Sequence, residues 1–454
     1  MQIPLPSNSN QPTNNSLCIK YSPTTNTVLW KVDTTPSPRS PRSPTHRTSS
    51  AFIFSMDLLR SASHISTVRF THTRRSITSR CCTRSLNVRS SMPFLNQDAK
   101  YYRELEAALD VVERACRLCV DVKLSSFSSD GRILEKIDQT PVTVADFGVQ
   151  ALVSLELGKL FPSIPLVAEE DSAFLRSNNL ADSVANVVND KTRCENKVLT
   201  QDEVMEAIDR GGEDAYAFGT KPATYWVLDP IDGTRGFLKG IEALYVVGLA
   251  LVVDGEIVLG VMGCPNWHED SSKKLTPEVQ EFHDNPSGSG TLMFAHVGCG
   301  TWTKRFWYTP NSSSKVSGVW TRCVVDECQL IREARFCIPE SQTWDSLPLS
   351  ASFKATTNMD SVEANQILLL PACCGSLCKY FMVALGRASV FIQRSRAKKI
   401  IKAWDHAVGM ICVHEAGGKV TDWNGSDVDL AADQDSRRII FPSGGVLVTN
   451  GKLT

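Results

Sequence analysis

The first hundred residues hold almost no acid. Asp33, Asp57 and Asp98 stand alone against basic residues scattered from Lys20 to Lys100, in a background crowded with Ser, Thr and Pro. Such a composition cannot bury enough apolar surface to offset the entropy of folding, so residues 1–95 are set apart as a disordered, transit-peptide-like region. From Met56 onward Leu58, Leu59, Arg60, Arg69, Arg74, Arg75, Arg80, Arg84 and Arg89 interleave with Ser and Thr, the pattern of an organelle transit peptide. The chloroplast stroma is the first expectation for its destination and the mitochondrion the alternative. An ordinary basic tail would have a similar composition, and Met56 is a second candidate for the initiator.

Other absences narrow the function. No apolar run reaches the ~18 residues of a membrane span; the longest candidate, Tyr245 to Val253, is interrupted by Gly248 and followed by Asp254-Gly255. A membrane-spanning role is therefore not expected. A formal net charge of -1 with 21% charged residues gives no bias toward a nucleic-acid polymer or an anionic surface. The 15 cysteines lack the paired CxxC spacing of a zinc ribbon. The one CxxC, Cys116 and Cys119, falls on the apolar side of a predicted helix and reads as core; Cys373-Cys374 and Cys378 lie closer to the site argued below, where thiol reactivity is conceivable. No internal repeat is visible, and the sequence leaves the oligomeric state open.

What is present is a chain long enough for two cores. Leu105, Leu109, Val112, Cys116, Cys119 and Val120 recur at helical spacing and predict an amphipathic first helix between Asp98 and Lys123. A second is expected after Asp146, ending before Pro162. The polar stretch 177–222 reads as a surface insertion with one short helix near Val204 to Ile208. Tyr225 to Leu228 reads as a buried strand, and Asp254-Gly255 as the turn of a hairpin between Tyr245–Val253 and Glu256–Val261. The polar segment from His268 to Gly290 suggests a boundary between an α+β N-terminal half, 96–275, and an α/β C-terminal half, 276–454.

The strand at Tyr225 delivers Asp229-Pro230-Ile231-Asp232-Gly233-Thr234. Pro230 removes an amide donor and fixes the backbone, so the Ile231 carbonyl can point outward beside two carboxylates. Hard oxygen donors of this kind suit Mg²⁺. Gly233 permits close backbone approach, and Thr234 offers an amide and a hydroxyl to a phosphate. An isolated D-P-I-D is more often a helix-capping loop; further carboxylates have to decide.

Those carboxylates come with a resemblance. Asp229 to Phe237, D-P-I-D-G-T-R-G-F, resembles the signature of the inositol-monophosphatase superfamily of metal-dependent, lithium-sensitive phosphatases. Trp404-Asp405-His406-Ala407-Val408-Gly409, leading into Glu415-Ala416-Gly417-Gly418, resembles its second signature, and Val167-Ala168-Glu169-Glu170-Asp171 its acidic segment. The resemblance runs from about residue 100 to the end of the chain and is weakest through 177–222 and 303–370. It implies an α/β fold arranged as a layered αβαβα sandwich. It also implies two or three Mg²⁺ ions held by Glu169, Asp229, Asp232, Asp405 and the Ile231 carbonyl, with Asp146 acting through Thr234 as proton acceptor. His406 and His414 are expected to be structural.

Within that superfamily, Thr140-Pro141-Val142-Thr143-Val144-Ala145-Asp146 and the Arg235-Gly236-Phe237 ending resemble the plant-type 3'(2'),5'-bisphosphate nucleotidases. The substrate implied is a small nucleotide, adenosine 3',5'-bisphosphate or its sulfated relative, in sulfur metabolism. Gly233, Thr234 and Asp405 would meet the phosphate, and Ser376 and Lys379 the nucleotide. The family's downstream Arg falls at Gln393 on an ungapped count, with Arg394 one residue later; Arg394 is taken here as the substrate contact. A slip of one residue reverses the face of a strand side chain. Trp344 stands before Asp345 where the family commonly has His, and would stack on adenine or reshape the base pocket. An inositol polyphosphate 1-phosphatase and a non-catalytic bisphosphate sensor are the competing readings.

Overall fold

The computed structural model describes residues 92–94, 99–128, 134–135, 141–191, 198–238, 243–267, 289–307, 318–339, 368–372, 375–394 and 400–453, which all fall in one compact unit, Ser85–Thr454. The transit-like region up to residue 91, Trp344 and Cys373-Cys374 lie outside them.

In chain order the helices are α1 Tyr102–Ser128, α2 Val144–Leu160, α3 Ala173–Asn178, α4 Ala181–Lys191, α5 Gln201–Asp209, α6 Thr234–Leu238, α7 Leu377–Ala384 and α8 Ala407–Glu415. A seven-stranded sheet runs in the spatial order of the chain through β3 Leu166–Ala168, β4 Tyr225–Asp232, β5 Val246–Val253, β6 Glu256–Cys264, β7 Ser289–His296, β8 Gly300–Trp307 and β9 Thr321–Cys323. A five-stranded sheet has the order β11-β10-β12-β16-β14, from β10 Arg335–Pro339, β11 Leu368–Ala372, β12 Val390–Arg394, β14 Lys419–Asp422 and β16 Gly445–Thr449. Two short pairs complete the set: β1 Leu134–Glu135 with β2 Pro141–Val142, and β13 Ile401–Lys402 with β15 Ile439–Ile440.

Strand periodicity explains the layering. In β4, Trp226 and Leu228 join the core formed with α1 and α2, while Tyr225 and Val227 join the core formed with α7 and α8. Both faces are thus covered, which is why Tyr225 to Asp232 is buried throughout. Helix α8 lies between the sheets, against β6 and β7 on one side and β14 on the other. It is accordingly apolar all round rather than amphipathic. It comes close to β6 at Gly260, where a Cβ would meet Ile411 and Val408 at 2.9 Å. Among the described residues the layers run helices, seven strands, helices, five strands. The mixed α/β class is as the sequence implied.

Two expectations need correction. The stretch 177–222 is not a loose surface insertion: α3, α4 and α5 pack on α2 around a core of Phe147, Ala151, Leu155, Leu175, Val184, Val188, Val204 and Ile208. Polar residues dominate its composition, but Val184 with Val188 and Val204 with Ile208 are four apart, on one helix face. The boundary at 275/276 falls inside the seven-stranded sheet, because β6 and β7 pair antiparallel on either side of it, from Leu259↔His296 to Cys264↔Thr291. The hairpin expectation holds, with Asp254 at φ 52 and Gly255 at φ 90 between β5 and β6.

Candidate metal and catalytic centre

The acidic turn is built on an irregularity in a buried strand. Along β4 and β5 Asp229 pairs with Gly248 and Asp232 with Val246, so Pro230 and Ile231 together oppose the single residue Val247. Such a bulge re-aims the side chains that follow it. Gly233, at φ 89, then turns the chain into α6, and its carbonyl accepts from the amides of Gly236 and Phe237.

Asp229, Asp232 and Asp405 each offer a carboxylate oxygen, and these atoms lie within 4.8 Å of one another. Asp405 arrives from the loop between β13 and α8, far away in sequence. Asp229 is buried, and its Oδ1 has no hydrogen-bond partner. Burial pushes its carboxyl well above the ordinary carboxylate range; the charges of Glu169, Asp232, Asp405 and Asp146 push the same way, Glu169 most. Burial also raises Asp232, to about 6, against the pull of Lys379 and two amides. Those amides belong to α7: Ser376 N–H donates to Asp232 Oδ1 at 2.9 Å and Leu377 N–H to Oδ2 at 2.6 Å. Hydrogen bonds to a charged acceptor contribute about 1.5–3 kcal/mol each. Gly375, at φ 60, leaves room for them; a Cβ there would fall on the Asp232 carboxylate.

Asp146 serves two partners. Thr143 N–H and Oγ1–H donate to its Oδ2 at 2.9 and 2.6 Å, closing the capping box of α2. Its Oδ1 stands 3.3 Å from Thr234 Oγ1, which is also 3.1 Å from the Ile231 carbonyl. Asp146 thus closes the cap of α2 with one oxygen and faces the acidic turn with the other. Glu169 lies at the end of β3, outside the tight group of three, yet its charge is the largest acting on Asp229.

The substrate-side residues divide. Ser376 Oγ donates to Gln393 Oε1 at 2.9 Å. Lys379 is buried in α7, donates to the Gly375 carbonyl, and has its Nζ 5.8 Å from the Phe391 ring centre. Arg394 is not brought to them, contrary to the assignment from the sequence: it stacks over Trp423, 4.3 Å from the ring centre. The reason is strand parity. Phe391 and Gln393 look toward α7, whereas Val390, Ile392 and Arg394 look toward the separate cluster that includes Trp423. Of the two histidines, buried His406 meets Tyr380 Oη at 2.8 Å through Nδ1, and His414 Nε2 accepts from Val420 N–H at 3.2 Å. Cys116 and Cys119 are buried, and burial pushes both thiols up, as befits core residues.

Sequence reasoning missed Gln150. Its Nε2 donates to the carbonyls of Glu170 at 2.7 Å and Ile208 at 2.8 Å, and its Oε1 accepts Glu170 N–H at 2.8 Å. The sequence offered only a lone polar residue among Val149, Ala151, Leu152 and Val153, with nothing to name its partners; its full burial is what makes the three bonds necessary.

With this geometry in hand, comparison with known proteins is direct. A family model described as the inositol monophosphatase family matches residues 104–453. A protein of Arabidopsis thaliana that carries the name of a mitochondrial 3'(2'),5'-bisphosphate nucleotidase is 61% identical over 398 residues, 88% of this chain and 96% of its own. A second from the same plant, 3',5'-bisphosphate nucleotidase 2, is 33% identical over 78% of this chain and 94% of its own. Among solved structures, an IMPase from Thermotoga maritima aligns over 77% of this chain and 93% of its own, with a TM-score of 0.44 and 19% identity.

Proposed function

The chain belongs to the inositol monophosphatase family, and we propose that within it this protein is a Mg²⁺-dependent phosphomonoesterase that hydrolyses adenosine 3',5'-bisphosphate to AMP and phosphate. The observation that carries this reading is the convergence of Asp229, Asp232 and Asp405 within 4.8 Å beside the Asp146–Thr234 pair.

The donor set fits a divalent cation. Three carboxylates this close, one of them with a buried and unpartnered oxygen, repel one another unless positive charge intervenes. All the donors are hard oxygens, which favours Mg²⁺ over softer metals. Asp229, Asp232, Asp405, Glu169 and the Ile231 carbonyl would hold two or three ions. Bound Mg²⁺ supplies neutralisation of the phosphate oxygens and a lower pKa for water.

The chain's own groups do the rest. The Thr234 hydroxyl donates to Asp146 Oδ1 and is free to accept a proton from a water beside it, so Asp146 receives the proton through Thr234. The hydroxide adds to phosphorus, the bond from phosphorus to the ester oxygen breaks, and the nucleoside alcohol leaves with a proton from solvent. The amides of Gly233 and Thr234, at the turn into α6, would steady the phosphoryl group. Asp232 is fixed by α7, the helix that also carries Lys379, so the metal side and the nucleotide side share one support.

Names of the relatives favour a bisphosphorylated nucleoside as substrate; turnover of the sulfated analogue and a place in sulfur metabolism are proposed on the motif resemblance alone. The name of the 61% identical relative favours the mitochondrion over the chloroplast as destination. The test is steady-state phosphate release with Mg²⁺. The reading expects a higher kcat/KM for adenosine 3',5'-bisphosphate than for inositol 1,4-bisphosphate; the reverse order would assign an inositol polyphosphate phosphatase instead.

A further inference from the structure

We propose that Arg438 is a positioning residue that ties the Glu169 segment to the Trp404-Asp405 segment and so sets how these two carboxylates approach Asp229. The inference rests on the metal-site reading above and deepens it.

Arg438 is nine-tenths buried. One end of its guanidinium lies 3.1 Å from the Gly211 carbonyl and the other 3.4 Å from the carbonyl of Glu169 itself. The Gly211 carbonyl also accepts Ala168 N–H at 2.9 Å, so it anchors the residue just before Glu169. The planar face of the same guanidinium covers the indole of Trp404, 4.7 Å from its centre. Trp404 immediately precedes Asp405. The backbone adds a third tie: Ala403 N–H donates to the Arg438 carbonyl at 2.8 Å, next to the β13–β15 pair Lys402↔Ile439. Glu169, Glu170, Asp171 and Glu213 surround the side chain with negative charge that attracts it.

The support continues outward. Asp433 Oδ2 accepts the amides of Arg438 at 2.9 Å and Ile439 at 3.2 Å. Arg437, at φ 60, turns its own guanidinium the other way, to the carbonyls of Gly219 at 2.7 Å and Lys221 at 3.0 Å. Two consecutive arginines thus diverge into different parts of the fold. Only a planar fork can bond two carbonyls while stacking on a ring, which an ammonium cannot reproduce. Groups that orient metal ligands from behind typically change metal affinity by about 10–100-fold when lost.

The test titrates full-length protein with Mn²⁺, followed by electron paramagnetic resonance, alongside thermal denaturation. Arg438→Lys is expected to keep its Tm within a few degrees of wild type yet bind Mn²⁺ at least about 10-fold more weakly. Asp433→Asn, which leaves the guanidinium but loosens its backbone, should weaken binding by a smaller factor, and it decides the matter if Arg438→Lys fails to fold. Wild-type affinity in both variants overturns the inference alone. Wild-type protein that takes up no Mn²⁺ overturns the metal-site reading and this inference with it.

Discussion

The Thr234 hydroxyl stands 3.3 Å from Asp146 Oδ1 across two helix starts, at the first residue of α6 and the first turn of α2. The pair joins a structural cap to the acidic turn, and it gives the proton of an attacking water somewhere to go.

Asp146→Asn keeps the shape and a hydrogen bond to Thr143 but removes the proton acceptor. We expect kcat to fall by about 10²–10⁴ with little change in KM. Thr234→Ala should fall in the same direction. Because the two act as one relay, the double variant should lose little more than the worse single one; initial-rate measurements that show multiplied losses would argue against the relay.

Without metal, the carboxylates around Asp229 oppose folding. Asp229→Asn should therefore raise the Tm of EDTA-treated protein by a few degrees while abolishing the further rise that Mg²⁺ gives the wild type. A lower metal-free Tm in the variant would show that the cluster is not under repulsion.

Gln393, not Arg394, shares a face with Ser376. Arg394→Ala should leave KM for adenosine 3',5'-bisphosphate within about twofold of wild type, losing only the cation–π contact with Trp423, which contributes about 0.5–1 kcal/mol to stability. Gln393→Ala should raise KM. The opposite ranking in a kinetic comparison would restore Arg394 as the substrate contact.

Lys123, near the end of α1, is buried without a hydrogen-bond partner among the described residues, its Nζ 4.8 Å from the Tyr245 ring centre and 5.2 Å from that of Phe237. Burial lowers its pKa to about 8. The folded protein then binds fewer protons than the unfolded chain between about pH 8 and the ordinary lysine value of about 10.4, so this residue's contribution favours folding increasingly as pH rises through that window. Lys123→Met should be the more stable protein at pH 7, and its advantage in urea denaturation should shrink toward pH 10. An advantage that does not change with pH would contradict the assignment.

The legible parts of the site were those whose residues are neighbours in sequence. Asp229 and Asp232 are three positions apart along β4's bulge, and Asp405 sits in its own signature just before α8, so short motifs carried them. The hidden parts depend on contacts between distant residues: Gln150 reaches Glu170, and Arg438 reaches Glu169. No local pattern encodes such meetings. Arg394 was misplaced because its role turned on a one-residue register that only the pairing Arg394↔Gly445, Gln393↔Val446 resolves. The short helix near Val204 to Ile208 was legible and is α5, whereas α3 and α4 were missed because a polar average hides an apolar face.

The most direct test of the central claim is phosphate release from adenosine 3',5'-bisphosphate by the full chain, wild type against Asp229→Asn, with Mg²⁺ and with EDTA. The account predicts turnover by the wild type with Mg²⁺ alone, and a loss of at least about 10³ in the variant. Equal release by both proteins, or release by the wild type that EDTA leaves unchanged, would contradict it.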